Sequence, residues 1–159
     1  MRIEEALHTG RFQGELHKAH LNLLHTAAWL RAAISRCLRP FGISHEQYNV
    51  LRILAGAGEE RLCIRDIAGR MVEQHSSVSR LVDKLESKQL ITRNISEQDR
   101  REWQILITPA GLALLEEVRR DGSLELLHRT GPDELEARLL NVLLDRLRAG
   151  LAAPPAQDA

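Results

Sequence analysis

His75, Ser76, Ser77, Ser79, Arg80 and Lys84 crowd into a short stretch of this chain. Wound as a helix, the segment sets His75, Ser76, Ser79, Arg80, Asp83 and Lys84 on one polar face. Short hydroxyls let the backbone approach a surface closely, and Arg80 and Lys84 can reach phosphates or a guanine edge. That is the chemistry of docking on double-stranded DNA, not of making or breaking bonds. Farther along stands Asp99-Arg100-Arg101. An arginine at a hairpin tip can enter a narrow minor groove, where the negative potential is strongest, and Arg93, Arg100 and Arg101 complete the expected DNA-contacting set. Asp99 is a poor phosphate contact; its expected task is to pair with Arg100, Arg101 or Arg93 and stiffen the tip. For a lone helix, a solvated polar face is the better alternative, so the surrounding elements decide.

Those elements are legible from periodicity. Ile64, Ile67, Ala68 and Met71 repeat at i, i+3, i+4, i+7, and Val78, Leu81, Val82 and Leu85 repeat the same spacing. Each helix is too short to be stable alone, so both must pack their stripes on a shared core. Val72, Glu73 and Gln74 suffice for a tight turn between them. Two strands follow. Ile91, Arg93 and Ile95 share one face of the first, and Trp103, Ile105 and Ile107 share one face of the second. The polar stretch Ser96-Glu97-Gln98-Asp99-Arg100 joins them, and Thr108 with Pro109 opens a new helix. The order is a helix-turn-helix with a wing.

The run SSVSRLVDKLESKQLITR, then DRR, then LITPAG resembles the signature of the MarR (multiple antibiotic resistance regulator) family. The likeness extends from about Glu15 to Leu151. It implies a mainly α fold with a small β-wing, a winged helix-turn-helix between long N- and C-terminal dimerisation helices. It also implies an obligate homodimer, triangular in outline, on a palindromic operator, with repression relieved by a small-molecule or redox signal. One position departs from the pattern: Gln89 stands where the family usually has glycine. If left-handed, Gln89 would cost roughly 1 kcal/mol.

Composition agrees. The 159 residues are 43% hydrophobic but only 3% aromatic, so the core must be mostly Leu, Ala, Ile and Val. The formal net charge is zero, which argues against coating nucleic acid without specificity. The positive charge is local: Arg61 to Arg101 holds nine Lys/Arg and six Asp/Glu, a net +3. The start, MRIEEALHTG, lacks the apolar core of a signal peptide, and no run approaches the length of a membrane span. A cytoplasmic protein with no membrane partner is expected, and two cysteines fit a reducing compartment.

One domain over 1–151 is expected, with dimerisation helices at 12–38 and 109–151, a DNA-binding lobe at 44–107 and a disordered tail at 152–159. The first helix carries Leu16, Leu23, Leu24, Ala27, Leu30 and Ile34, and Pro40-Phe41-Gly42 ends it. Ser44 with Gln47 is a capping box for the next helix, closed by Gly56 and Gly58. The helix after Pro109 is expected to continue through Gly122 to His128. Pro132 is expected to open the last helix, where Leu135, Leu139, Leu143 and Leu147 recur every four residues. One monomer can scarcely cover so much leucine; exposed stripes of this kind meet a partner. An intramolecular bundle is the alternative.

For the signal, Trp29, Tyr48 and His25 are candidates to line a pocket for a small aromatic or phenolic effector. Arg52 or Arg31 would meet its carboxylate, near the first two helices where the family resemblance places a ligand cleft. Trp29 as ordinary core is the alternative. His17 and His20 could share a face and hold a metal ion, but surface or capping histidines are commoner, and no metal or other cofactor is expected. Cys37 lies between Arg36 and Arg39, and Cys63 stands at a helix N-cap; both settings favour a thiolate. Redox-sensing relatives carry their reactive cysteine near the start of the first helix, and none is there. A redox sensor of the same fold, or a winged helix that binds protein, stays as an alternative. No phosphate loop, HExxH, GxSxG or CxxC is present, so the chain is not expected to be an enzyme.

Overall fold

A computed structural model of the chain describes residues 1–8, 10–58, 60–73, 77–95 and 103–152. The chain falls into two units, Met1–Leu127 and His128–Ala159. In the first, a four-residue helix α1 (Ile3–Ala6) precedes the long α2 (Glu15–Leu38). The expected start at Phe12 is corrected to Glu15. Gly14 has φ 129°, a conformation closed to a helix and costly for residues with a Cβ. Ahead of it, Phe12 packs edge-on to His17, and the Gln13 N–H donates to His17 Nδ1 at 3.2 Å. Arg39–Phe41 then tighten into a 3-10 turn that ends on left-handed Gly42, as Pro40-Phe41-Gly42 suggested.

Helix α3 (His45–Gly56) opens on the expected reciprocal cap. The Ser44 N–H donates to Gln47 Oε1 at 3.1 Å, and the Gln47 N–H donates to Ser44 Oγ at 3.2 Å. Helix α4 (Ile64–Arg70) is N-capped by Cys63, whose backbone N–H donates to Asp66 Oδ2 at 3.0 Å. The hydrogen bonds from Cys63 hold the Asp66 carboxyl below its usual range. Met71 leaves the helix for an extended conformation but stays buried, so the α4 stripe still ends on it. Helix α5 (Val78–Ser87) buries Val78, Val82 and Leu85.

Strands β1 (Ile91–Ile95) and β2 (Trp103–Ile107) pair antiparallel. Their register sets Ile91 opposite Ile107, Arg93 opposite Ile105 and Ile95 opposite Trp103, the face read from the alternation. Leu62 extends this sheet: its carbonyl accepts the Ile105 N–H at 2.8 Å. The core gathers around α3, α4, α5 and the sheet, with Leu38, Leu51, Leu62, Ile67, Leu85, Ile91 and Ile105 almost wholly buried. Removing each such side chain from water contributes about 1.5–3 kcal/mol, which is why short helices with little stability of their own hold here.

Helix α6 (Pro109–Asp121) begins as expected, with Thr108 accepting the Gly111 N–H at 3.1 Å. It does not continue to His128. Gly122 turns left-handed at φ 73° and separates α6 from α7 (Ser123–His128). In the second unit, α8 (Glu134–Ala152) starts after Pro132. Asp133 is its cap: the Asp133 N–H donates to Glu136 Oε2, and the Glu136 N–H donates to Asp133 Oδ1. Ala152, expected in the tail, is the last residue of α8. The rest of the expected disordered tail lies outside the described residues.

The junction of α5, the sheet and α6 is the tightest place in the fold. Gln89 is left-handed, φ 60°. Its N–H donates to Glu86 O at 2.8 Å, and the Leu90 N–H donates to Leu85 O at 3.0 Å, closing α5 as a Schellman motif. A Cβ on Gly111 would stand 2.3 Å from Leu90 O and 2.7 Å from Ile107 Cγ1. Gly111→Ala should therefore cost about 3 kcal/mol or more in urea unfolding, because a backbone carbonyl cannot swing aside as a side chain can. A loss below about 1 kcal/mol would contradict this close approach. Gln89→Gly should instead stabilise by about 0.5–1 kcal/mol, the left-handed strain relieved less the extra entropy of an unfolded glycine.

Candidate nucleic-acid interface

Helix α5 has two unlike sides. Val78, Val82 and Leu85 fix it to the core, so the side bearing Ser79, Arg80, Asp83 and Lys84 is held outward and exposed. Ser77, extended at φ −69° and ψ 91°, is the N-cap residue and is exposed too. The outward row is the one read from spacing. Arg80 and Lys84 make no ion pair among the described residues, so both heads are free to meet another charge. His75 and Ser76, ahead of the helix, lie outside the described residues, as do Asp99, Arg100 and Arg101 of the wing.

Arg93 takes a different place from the one expected of it as a DNA contact. It is mostly covered and turned back onto α5. One guanidinium nitrogen pairs with Asp83, and Nε lies 3.0 Å from Glu86 Oε2, close enough for charge attraction though not aligned as a hydrogen bond. The reason is local. Thr92 and Asn94 face away from the sheet's packed side, whereas Arg93 is opposite Ile105 on the side that adjoins α5. Arg93 thus offsets part of the negative charge of Asp83 and Glu86 and braces the helix against β1. Asp99, the partner suggested for it, is not needed for this contact.

The effector candidates lie on two helices, α2 and α3. His25 and Trp29 stack at 5.5 Å between ring centres on α2, with Trp29 exposed and His25 Nε2 buried without a hydrogen-bond partner among the described residues. Tyr48 packs on the core and Arg52 is exposed on α3. Arg31, the other candidate for a carboxylate, already holds Glu73 in the turn between α4 and α5, Nη1 to Oε1 at 3.0 Å. His17 caps the start of α2, and no three His, Cys, Asp or Glu side chains converge among the described residues. Cys63 is buried and Cys37 half-buried.

Sequence reasoning missed a cavity of about 240 Å³ between the start of α3 and the end of α5, lined by Ser44, Gln47, Leu81, Lys84, Ser87 and Lys88. Lys88 Nζ donates to Gly42 O at 2.6 Å and to Gln47 Oε1 at 3.3 Å, which pins its head over this wall. Lys84 and Lys88 at i, i+4 were the available signal.

The brace can be tested without any ligand. Arg93→Met keeps most of the stem and removes the charge; it should lower the unfolding free energy by roughly 1 kcal/mol at low salt and by less at high salt. Equal losses at both salt concentrations would show that Arg93 acts through packing alone.

A MarR family model matches residues 43–103. The chain is 29% identical over 93 residues to the HTH-type transcriptional regulator MhqR of Bacillus subtilis, an alignment covering 58% of this chain. It spans 63% of that relative's length. The fold is similar to AbsC, a MarR family transcriptional regulator of Streptomyces coelicolor, with a TM-score of 0.75 at 22% identity, covering 89% of this chain and 97% of AbsC. It is also similar to CouR of Rhodococcus jostii, solved bound to p-coumaroyl-CoA, with a TM-score of 0.68 at 23% identity, covering 92% and 100% of the two chains. The outward polar helix and the sheet beside it fall largely within the segment, residues 43–103, that matches the MarR family model, and the fold is similar to that of solved MarR family regulators.

Proposed function

We propose that this protein is a homodimeric, sequence-specific DNA-binding regulator that represses from a palindromic operator and is released by a small-molecule effector. The observation that carries the reading is α5: a helix fixed to the core on one side, with Ser79 and with Arg80 and Lys84, which make no ion pair among the described residues, on the other. Such a helix fits a major groove, where arginine reads guanine and lysine meets phosphate. The DNA-binding set is Ser77, Ser79, Arg80 and Lys84 with His75, Ser76, Arg100 and Arg101; Arg93 moves to a bracing role.

The dimer is supported by the exposed leucines of the terminal helices. On α2, Leu16, Leu24 and Leu30 are largely open to solvent, and α8 buries none of its residues while exposing Leu135, Leu139, Leu140 and Leu143. Two-fold symmetry would set two copies of α5 about 34 Å apart, one helical turn of duplex. An effector that alters that spacing alters affinity. The His25–Trp29 pair is the best-supported effector contact, since a buried ring nitrogen without a partner is what a ligand hydroxyl would satisfy. CouR, bound to an aromatic acyl-CoA, makes an aromatic or phenolic effector the natural class to screen first. No helix among the described residues is long and apolar enough to cross a membrane, and a cytoplasmic site of action is part of the proposal.

Gel shifts on the protein's own upstream DNA test the reading, with a shift expected at physiological salt. Arg80→Ala should weaken operator binding by about 1–3 kcal/mol if it reads a base, and relax sequence preference at that position. Unchanged affinity at fixed salt would remove Arg80 from the interface.

A further inference from the structure

We infer that the cavity between α3 and the last turns of α5 is a seat for a phosphate group of the DNA backbone, with Lys84 and Lys88 as its cations. The inference rests on the DNA-binding reading above and adds Lys88, Ser87 and Ser44 to the surface. None of the six residues lining the cavity is acidic. Helix α5 sorts its charges: Asp83 and Glu86 are drawn to Arg93, while Lys84 and Lys88 border the cavity. Two lysines one turn apart repel each other, and an anion between them removes that penalty. The Lys88 head is already positioned by Gly42 and Gln47, and an ammonium has a third proton to give. Lys84 has no ion pair among the described residues. The attraction comes from these lysines and not from the start of α3, whose first turn already holds the Glu46 carboxylate against Ser44.

Position argues for a backbone phosphate over a free ion. Lys84 belongs both to the outward row of α5 and to the cavity wall, so the cavity opens beside the surface that would meet a duplex. A strand crossing there would be gripped at the C-terminal half of α5 while Arg80 reaches the groove. Contacts of this kind fix the register of a helix on DNA without reading sequence.

The test is a salt titration on duplex DNA of random sequence, followed by fluorescence anisotropy. Lys84→Gln should reduce the slope of log affinity against log salt by about one, and Lys88→Gln should do the same. Lys84→Arg should retain the slope. Arg120→Gln, an equal charge change on α6, should leave it unaltered. Lys84 is exposed, so its variant keeps the test sound even if Lys88→Gln disturbs the contact with α3. Slopes unchanged in both glutamine variants, with DNA still bound, would overturn the seat and leave the DNA-binding reading standing. Absence of any duplex binding by the parent protein would overturn both. A parallel titration with sodium phosphate against sodium chloride at matched ionic strength, read by NMR of labelled lysines, separates the sources. Saturable phosphate shifts at Lys84 and Lys88 together with unchanged DNA slopes would assign the cavity to a free anion and refute the inference.

Discussion

The carbonyl of Leu90 is the point on which the rest of this fold turns. The Leu90 N–H closes α5 by donating to Leu85 O, and Leu90 O accepts the Thr108 N–H at 3.0 Å. Thr108 donates its hydroxyl to Gln89 O at 2.8 Å and accepts the Gly111 N–H, so the end of α5, the sheet and the start of α6 meet through a few shared groups. Only a residue without a Cβ lets α6 come so near. The direction in which α5 presents its polar face therefore depends on a backbone contact rather than on the polar face itself. That separation leaves the outward residues free of the task of setting the helix angle.

Charge is arranged by the same logic. A helix meant for a polyanion gains nothing from Asp83 and Glu86 unless they are occupied. Arg93 occupies both from the strand, so they become struts between α5 and β1. An exposed pair is worth little by itself, but two acids converging on one largely covered guanidinium constrain the helix more than isolated surface pairs do. The net charge of zero is thus no obstacle to an interface, because Asp83 and Glu86, though exposed, share the Arg93 guanidinium, while Arg80 and Lys84 have no ion pair among the described residues.

The patterns that depend on burial were legible in the sequence. The α4 and α5 stripes, the strand face shared by Ile91, Arg93 and Ile95, and the Ser44–Gln47 cap all follow from period and capping chemistry, and each recurs in the structure. Gln89 was open at the level of sequence, since it stands where the family resemblance places glycine; the C-cap geometry holds it left-handed in spite of its side chain. Helix ends were less legible. Gly14 and Gly122 sit inside plausible helical runs, and a glycine's effect depends on whether the chain needs a turn there, which is a tertiary matter. The pairing of Arg93 with α5 was not legible, because a basic residue near a wing looks the same whether it faces a phosphate or a carboxylate, and only the register with Ile105 and the nearness of α5 show the carboxylates. The lysine-lined cavity joins residues from α3 and α5 that are far apart in the chain, so neither segment's pattern announces it.

The contact between Arg31 and Glu73 gives α2 a hold on the turn that leads into α5. Both groups are partly exposed, so the pair contributes at most about 1 kcal/mol, and a competing carboxylate could displace Glu73 at small cost. Weakness suits a signal: a strut worth many kcal/mol would need an equally strong ligand to release it, because a ligand shifts an equilibrium only by its differential affinity for the two states. Coupling between sites in allosteric proteins is typically about 1–3 kcal/mol, a range that a few contacts of this size can supply together. Helix α2, which carries Trp29 and the exposed leucines, thus connects through one modest ion pair to Glu73, between α4 and α5. A helix that both offers an apolar surface and touches the helix-turn-helix in this way is mechanically placed to convert a change in its packing into a change in the presentation of Arg80 and Lys84.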